Sequence, residues 1–329
     1  MTPVPLTEWE PDSLVGFECC SVPLTTPDPL AGDPVEGFAA IVVRPVERPG
    51  GSRAVLYVHG WNDYFFQRHV AEFWADLGYD FYALDLRRYG RSKVDGQLLG
   101  YTTDLSEYSE ELDVVILDLR AKYDLVVLTG HSTGGLIAAL YAHDHPGTFD
   151  GLVLNSPWLD LQGGPLARAL GSAIKTLGSQ RPTTVLPVSD PGLYKRVLHA
   201  SEGGEWDYDL ALKSAPTALI RVGWLKAVLL GHARVASGLS IDCPVLVLCS
   251  DHSNFSRRWS EDLRYADTVL DVDQISRRAV QLGPLVTVIR IAGGLHDLTL
   301  SGQPVRREVF RQLRRWVWTY VTIPASAWI

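Results

Sequence analysis

Leu125-Val126-Val127-Leu128-Thr129-Gly130-His131-Ser132-Thr133-Gly134-Gly135 runs from an apolar stretch, through a serine set between glycines, into a leucine- and alanine-rich segment. The apolar stretch reads as a buried strand and residues 134–143 read as a helix, so Ser132 stands on the turn between them. Gly-x-Ser-x-Gly in that context is a nucleophile elbow. The turn is so sharp that the serine backbone is strained and side chains two residues to either side would collide. Ser132 would then project above the sheet at a helix N-terminus, where backbone N–H groups and the helix dipole favour developing negative charge. The same letters also suit a glycine-rich turn that merely caps a helix. The flanking strand and helix, and the partners elsewhere in the chain, favour the nucleophile.

Outward from the elbow, strands and helices alternate. Residues 37–43 and 53–58 read as consecutive strands around the turn-forming Pro49-Gly50-Gly51-Ser52. A helix over 64–77, a strand over 79–84 and a long amphipathic segment over 104–122 precede the elbow strand, and a strand over 151–154 follows its helix. This is the pattern of an α/β protein with a parallel sheet and helices on both faces. It stops between residues 156 and 239, where helical segments over 166–177 and 224–235 have no strands between them. It resumes with a strand over 244–249, a helix over 272–282, a strand over 285–291 and a terminal helix over 304–320. The expected organisation is one α/β core, residues 1–155 and 240–329, interrupted by a helical cap, residues 156–239.

The elbow needs partners, and the chain offers them. The strand ending at Val58 leads into His59-Gly60-Trp61-Asn62, a His-Gly pair of the kind that supplies an oxyanion donor. The backbone N–H groups of Trp61 and Thr133 are the candidate donors, and His59 reads as a structural histidine that holds the loop. His296 lies in Ile291-Ala292-Gly293-Gly294-Leu295-His296-Asp297, a loop at the C-terminal end of the last strand, where an imidazole can serve as the general base. The orienting acid stays open on spacing alone. Asp251, Glu261, Asp262, Asp267, Asp271 and Asp273 all follow the strand over 244–249, with Asp251 nearest its end. Asp297 is an unfavourable choice because adjacent side chains diverge.

Together these residues resemble the α/β-hydrolase superfamily, and in particular the serine aminopeptidase-like branch that contains monoacylglycerol lipases and lysophospholipases. The likeness runs from about Gly37 to the terminal helix and is thinnest over the cap. Asp85-Leu86-Arg87-Arg88-Tyr89-Gly90-Arg91-Ser92 is similar to the family's Asp-x-Arg-Gly-x-Gly-x-Ser loop, with Arg88 in place of the first glycine. Ala266-Asp267-Thr268-Val269-Leu270-Asp271 is similar to its Ala-Asp-Arg-x-x-Asp, whose first aspartate is the catalytic acid. The resemblance thus implies a Ser132–His296–Asp267 catalytic triad. The stretch from 250 to 265 is longer than the family usually has there, which keeps Asp251 as the second choice. The implied fold is a mostly parallel sheet flanked by helices with a helical cap insertion. The implied activity is serine-dependent hydrolysis of carboxylic esters, of lipase or esterase type, without a metal or organic cofactor.

Composition agrees with that class. The 329 residues carry a net charge of −8 with 46% apolar and 21% charged residues, which suits a globular core and disfavours nucleic acid as a partner. A small-molecule ester or acyl compound fits better. Cys19, Cys20, Cys243 and Cys249 lack metal-ligand spacing. No basic segment leads into an apolar one near residue 1, and no run of eighteen apolar residues occurs, so a soluble cytoplasmic protein is expected. In the cap, Trp158, Leu166, Leu170, Trp206, Trp224 and Leu225 suggest an apolar acyl pocket, with Trp158, Trp206 and Trp224 the candidate substrate contacts. A rival reading is an aminopeptidase or amidase that holds a substrate amine at Glu202, Glu205, Asp207 and Asp209. A member of the fold that binds a ligand without catalysis is the rival from another class.

Overall fold

Val-, Leu- and Ile-rich segments too short for helices become strands that are covered on both faces, as parallel sheets require. A computed structural model describes residues 6–25, 38–161, 164–187, 190–214 and 218–322, without the side chains of 164–170 and 172. The chain opens with β1 (Glu10–Pro11), β2 (Phe17–Pro23), β3 (Ala39–Pro45) and β4 (Arg53–Val58). Next come α1 (Arg68–Asp76), β5 (Asp80–Asp85), α2 (Ser109–Lys122), β6 (Leu125–His131), α3 (Thr133–Asp144) and β7 (Gly151–Asn155). Three helices follow without a strand between them: α4 (Gly164–Gln180), α5 (Leu193–Leu198) and α6 (Val222–Ala236). The chain then forms β8 (Val245–Ser250), α7 (Val272–Ala279), β9 (Val286–Ile291) and α8 (Gln303–Tyr320).

The strands form one sheet in the order β1-β2-β3-β5-β4-β6-β7-β8-β9. From β5 to β9 every pairing is parallel, and β1, β2 and β3 extend the sheet antiparallel at one edge. The fold is therefore a mostly parallel α/β sheet flanked by helices. Alternate residues of each strand feed two cores: Ala54, Leu56, Val58, Val126 and Leu128 face one side. Val55, Tyr57, Val127, Phe81 and Leu246 face the other.

Several expectations shift in detail. β3 and β4 are consecutive in the chain but are not neighbours, because β5 crosses over through α1 and inserts between them. The helix expected from residue 64 starts at Arg68, since Tyr64, Phe65 and Phe66 form a buried loop in which the Phe65 N–H donates to Asp85 Oδ1 at 3.0 Å. The segment over 104–122 is a short 3-10 turn capped by the Asp104 side chain, and then α2. β1 and β2 have no counterpart in the sequence reading. Glu18 and Ser21 break the apolar run of β2, and a strand at the antiparallel end of the sheet with one covered face carries a weak pattern.

The segment between β7 and β8 rests on the core through α6. Gly231 of α6 lies so close to Leu136 and Leu140 of α3 that an added Cβ would sit 3.1 to 3.3 Å from their methyl groups. On the same helix, His232 Nε2 bonds the Trp158 carbonyl at 2.9 Å. Burial, the dominant cause, pushes the His232 imidazole down to about 4 from its ordinary 6.5. A group whose folded value is depressed stabilises fully above its unfolded value, and that stability is lost as pH falls toward the folded one. Stability should therefore decline between about pH 6.5 and pH 4 by on the order of 3 kcal/mol from this residue alone. Thermal unfolding across that window should show the decline, and His232→Gln, which stays neutral and can still donate to Trp158, should flatten it. An unchanged slope in the variant would remove His232 from the account.

Candidate active site

The C-terminal ends of β4, β6 and β7 are in register, with Val58 beside Gly130 and His131 beside Asn155. The chain must reverse there into α3, and Ser132 takes φ 54° and ψ −118° to do so. A non-glycine residue held at such a positive φ costs about 1–3 kcal/mol and persists only where its surroundings enforce it. Here they do. A Cβ on Gly130 would lie 2.5 Å from the Gly134 oxygen, and one on Gly134 would overlap the His59 carbonyl oxygen. The Ser132 N–H donates to Asn155 O at 3.0 Å, and the Trp158 N–H donates to Ser132 O at 3.0 Å.

His296 and Asp267 meet at this serine. Ser132 Oγ lies 3.0 Å from His296 Nε2, and His296 Nδ1 lies 2.9 Å from Asp267 Oδ2. Because an ionised carboxylate only accepts, Nδ1 carries the proton and Nε2 accepts from the serine hydroxyl. Asp267 is 0% exposed, and its other oxygen accepts from the Val269 and Leu270 N–H groups at 2.8 and 2.7 Å. Asp251 stands elsewhere, with a side chain 43% exposed, bonded to His252 and to the Gly293 N–H.

A second buried carboxylate steadies the His296 loop. Asp297 accepts from Asn155 Nδ2 at 2.8 Å, Gln67 Nε2 at 3.2 Å, and both the N–H and hydroxyl of Thr299. Its own N–H donates to Tyr194 Oη at 3.0 Å, a hydroxyl brought in by α5. Burial alone would raise the Asp297 carboxyl, but His131 and the Thr299 bonds outweigh it and hold the group below its usual range. The adjacent side chains do diverge: His296 turns to Ser132 and Asp297 turns to the end of β7.

The loop after β4 forms the facing wall. An added Cβ on Gly60 would lie 3.0 Å from Ser132 Cβ, so only glycine lets this backbone approach the serine so closely. Among the described residues, the Trp61 and Thr133 N–H groups have no hydrogen-bond partner within the protein. His59 is locked: Nδ1 donates to Gly60 O at 2.7 Å, and Nε2 accepts from the Leu86 N–H at 3.0 Å. Behind it, Arg88 sits at φ 66° where the family loop carries glycine, which gives that glycine a conformational reason.

Ser132 and His296 open onto a cavity of about 590 Å³ that Trp61, Trp158, Trp224, Ile220, Val269 and Leu270 also line. Trp224 stands between the other two indoles, with ring centres 3.8 Å from Trp61 and 5.9 Å from Trp158. Trp206 is not among the lining residues. Its indole N–H donates to Leu300 O at 2.7 Å and its ring stacks on His69, so it packs this segment onto the core. Leu225 packs against the main core, and the side chains of Leu166 and Leu170 lie outside the described residues.

The acids of the peptidase rival also lie off the cavity. Glu202 pairs with Lys195, Glu205 pairs with Arg306, Asp209 accepts from the Ala211 N–H, and Asp207 is solvated. The cavity does contain polar residues that the sequence reading passed over: Asn62, Asp63, Tyr194, Lys213 and Ser214. Apart from Asn62, which ends the His59-Gly60-Trp61-Asn62 stretch, none stands in a motif, and Lys213 and Ser214 meet Asp63 and Asn62 across about 150 residues of chain. Among the described residues no cluster of His, Cys, Asp and Glu could hold a metal ion, and no helix is long and apolar enough to cross a membrane.

The family described as serine aminopeptidase, S33, matches residues 51–267. Monoacylglycerol lipase of Mycolicibacterium smegmatis is similar at 23% identity over 266 residues, which covers 80% of this chain and 87% of that protein. Two crystal structures share the fold. Monoacylglycerol lipase of Paleococcus ferrophilus superposes with a TM-score of 0.61 at 21% identity, over 82% of this chain and 96% of that one. A soluble variant of monoglyceride lipase from Saccharomyces cerevisiae, in complex with a substrate analog, gives 0.62 at 16% identity, over 98% and 97%.

The two acids make a direct test of the geometry. A carboxylate bonded to His296 fixes its tautomer and stabilises the imidazolium, so Asp267→Asn should slow single-turnover ester cleavage on the order of 10,000-fold with substrate binding nearly unchanged. Asp251→Asn should stay within roughly tenfold, about 1.4 kcal/mol of barrier. Circular dichroism excludes misfolding, and the opposite ranking would move the acid role to Asp251.

Proposed function

The chain belongs to the serine aminopeptidase S33 family of α/β-hydrolases, and on that premise we propose that it hydrolyses carboxylic esters with an apolar acyl group through a covalent acyl-enzyme. The observation that carries this reading is the Asp267–His296–Ser132 hydrogen-bond chain at the edge of a tryptophan-lined cavity. In the reaction, Ser132 Oγ attacks the ester carbonyl carbon while His296 Nε2 takes its proton. The carbonyl oxygen becomes an anion that the Trp61 and Thr133 N–H groups receive. His296 then protonates the departing alcohol, and water, deprotonated by the same imidazole, releases the acid from Ser132. Asp267 keeps the imidazole in the Nδ1–H tautomer throughout.

Residues 156–239 act in this proposal as a cap over a core of residues 1–155 and 240–329. Trp158 and Trp224 supply its apolar lining, which favours an acyl chain over a charged group. The ester-hydrolysing relatives agree with this choice. The aminopeptidase alternative is not favoured, because the four cap carboxylates it would use lie outside the cavity.

Ser132→Ala should abolish hydrolysis of p-nitrophenyl esters and labelling by a fluorophosphonate while leaving the circular dichroism spectrum unchanged. More than a few per cent residual activity would reject Ser132 as the nucleophile. Across a p-nitrophenyl ester series, kcat/KM should rise with acyl length and then fall as the chain outgrows the cavity. A flat profile, or a preference for aminoacyl amides, would count against an apolar acyl pocket.

A further inference from the structure

Four hydrogen bonds join the loop that follows β4 to the segment between α5 and α6: the Asp209 N–H donates to Tyr64 Oη at 2.8 Å, and three more meet at residues 62 and 63. Asn62 Nδ2 donates to Ser214 O at 2.9 Å, and Ser214 Oγ donates back to Asn62 Oδ1 at 2.7 Å. Lys213 Nζ bonds Asp63 Oδ1 at 2.8 Å. The ion pair is buried, with side chains 11% and 2% exposed, and the ammonium also lies over the rings of Phe66 and Tyr208. Burial would raise the Asp63 carboxyl, but Lys213 and His131 outweigh it, so the group stays ionised well below the usual range. The other Asp63 oxygen faces His131 Nδ1 at 3.6 Å, one residue before Ser132 in the elbow.

Asn62 sits at φ 52°, a left-handed backbone that asparagine tolerates better than other non-glycine residues. Its side chain has two bonds to Ser214, and the backbone immediately before it carries the Trp61 N–H. On both sides of that N–H the backbone has little freedom, because Gly60 is pressed against Ser132 and Asn62 is bonded across to Ser214.

We propose that Lys213 and Ser214 are positioning residues for the oxyanion site, holding residues 61–63 so that the Trp61 N–H points at the place where the carbonyl oxygen becomes an anion. The inference rests on the serine-hydrolase reading above. Loss of one oxyanion donor typically costs about 100- to 1000-fold in rate, so a displaced donor should cost less than a missing one. The loss should fall on kcat, because the donor strengthens its bond only as charge develops. Lys213 and Ser214 line the cavity. A role confined to substrate binding would fall on KM instead.

The test uses the full chain carrying Ser214→Ala, Lys213→Met or Asn62→Gly, with Ser214→Thr as the conservative variant. Active sites are counted by fluorophosphonate labelling, so kcat refers to labelled Ser132. An alkyl trifluoromethyl ketone serves as the tetrahedral probe: Ser132 Oγ bonds its carbonyl carbon, the proton passes to His296, and the oxygen becomes the anion. For Ser214→Ala and Asn62→Gly, kcat per labelled site should fall about 10- to 100-fold with KM within threefold, and the trifluoromethyl ketone Ki should rise by the same factor. Ser214→Thr should recover most of the loss. Lys213→Met strands a buried carboxylate, so the two neutral variants carry the test if it does not fold. Unchanged kcat per labelled site, or a raised KM with constant kcat, overturns the inference. Wild-type protein that does not label at Ser132 overturns the hydrolase reading and this inference with it, whereas labelled wild type with unaffected variants overturns the inference alone.

Discussion

The close approach of α3 to the ends of β4 and β6 is the constraint on which the rest depends. Gly130 and Gly134 have no room for a Cβ, and between them Ser132 is forced to a positive φ. A side chain at either glycine would push the helix off the sheet and relax the serine. The same closeness gives the elbow its chemistry. The Thr133 N–H at the start of α3 is left unpaired at the serine, and the Gly60 backbone is pressed against Ser132 Cβ. Strain at Ser132 and polarity around it have one steric origin.

Around that point the protein places buried charge where it steadies loops. Asp297 gathers donors from β7, the loop before α1 and its own turn, so the backbone beside His296 is fixed from three directions. Asp85, at the end of β5, accepts from the Phe65 N–H and pairs with Arg91, which also pairs with Asp12. Arg87 makes a similarly buried pair with Glu111 of α2. Each of these carboxylates would be costly to bury alone, and each is satisfied by several donors. Such sites define loop conformation more than they add stability.

The segment between β7 and β8 meets the core in three ways that act on the same site. α6 packs on α3 through Gly231, Tyr194 accepts from the backbone beside His296, and Lys213 and Ser214 bond the loop after Gly60. Its Trp158 and Trp224 line the cavity together with Trp61 from the core side. A third core cluster, with Tyr64 and Phe66 from the loop, Val197, Leu198 and Tyr208 from the segment, and Leu295 and Leu300 from the His296 turn, joins all three pieces.

Much of this was legible in the sequence because it is local. A buried parallel strand needs a continuous apolar run, and a strand-to-helix reversal needs small residues at fixed offsets, so β4 to β9, the elbow and the His-Gly turn announce themselves. β1 and β2 do not, since a strand at the antiparallel end of the sheet with one covered face keeps only half a pattern. What the sequence could not decide depends on contacts between residues far apart in the chain. Spacing alone left Asp251 and Asp267 both open, the family motif favoured Asp267, and the path of the chain from β8 brings Asp267 Oδ2 to His296 while Asp251 faces solvent. Trp206 and Trp224 look alike as aromatics of one helical segment, yet one lines the cavity and the other packs on His69. Asp63 and Lys213 carry no signal at all until folding makes them neighbours. The sequence by itself determined the strands of the parallel half, the serine and the turn that bears it, because short-range sterics dictate them. Only the tertiary structure brought Asp267, the acid the family motif favoured, to His296 and set which tryptophans and which residues between β7 and β8 stand near the serine, because a side chain's partner is set by where two distant stretches of backbone pass.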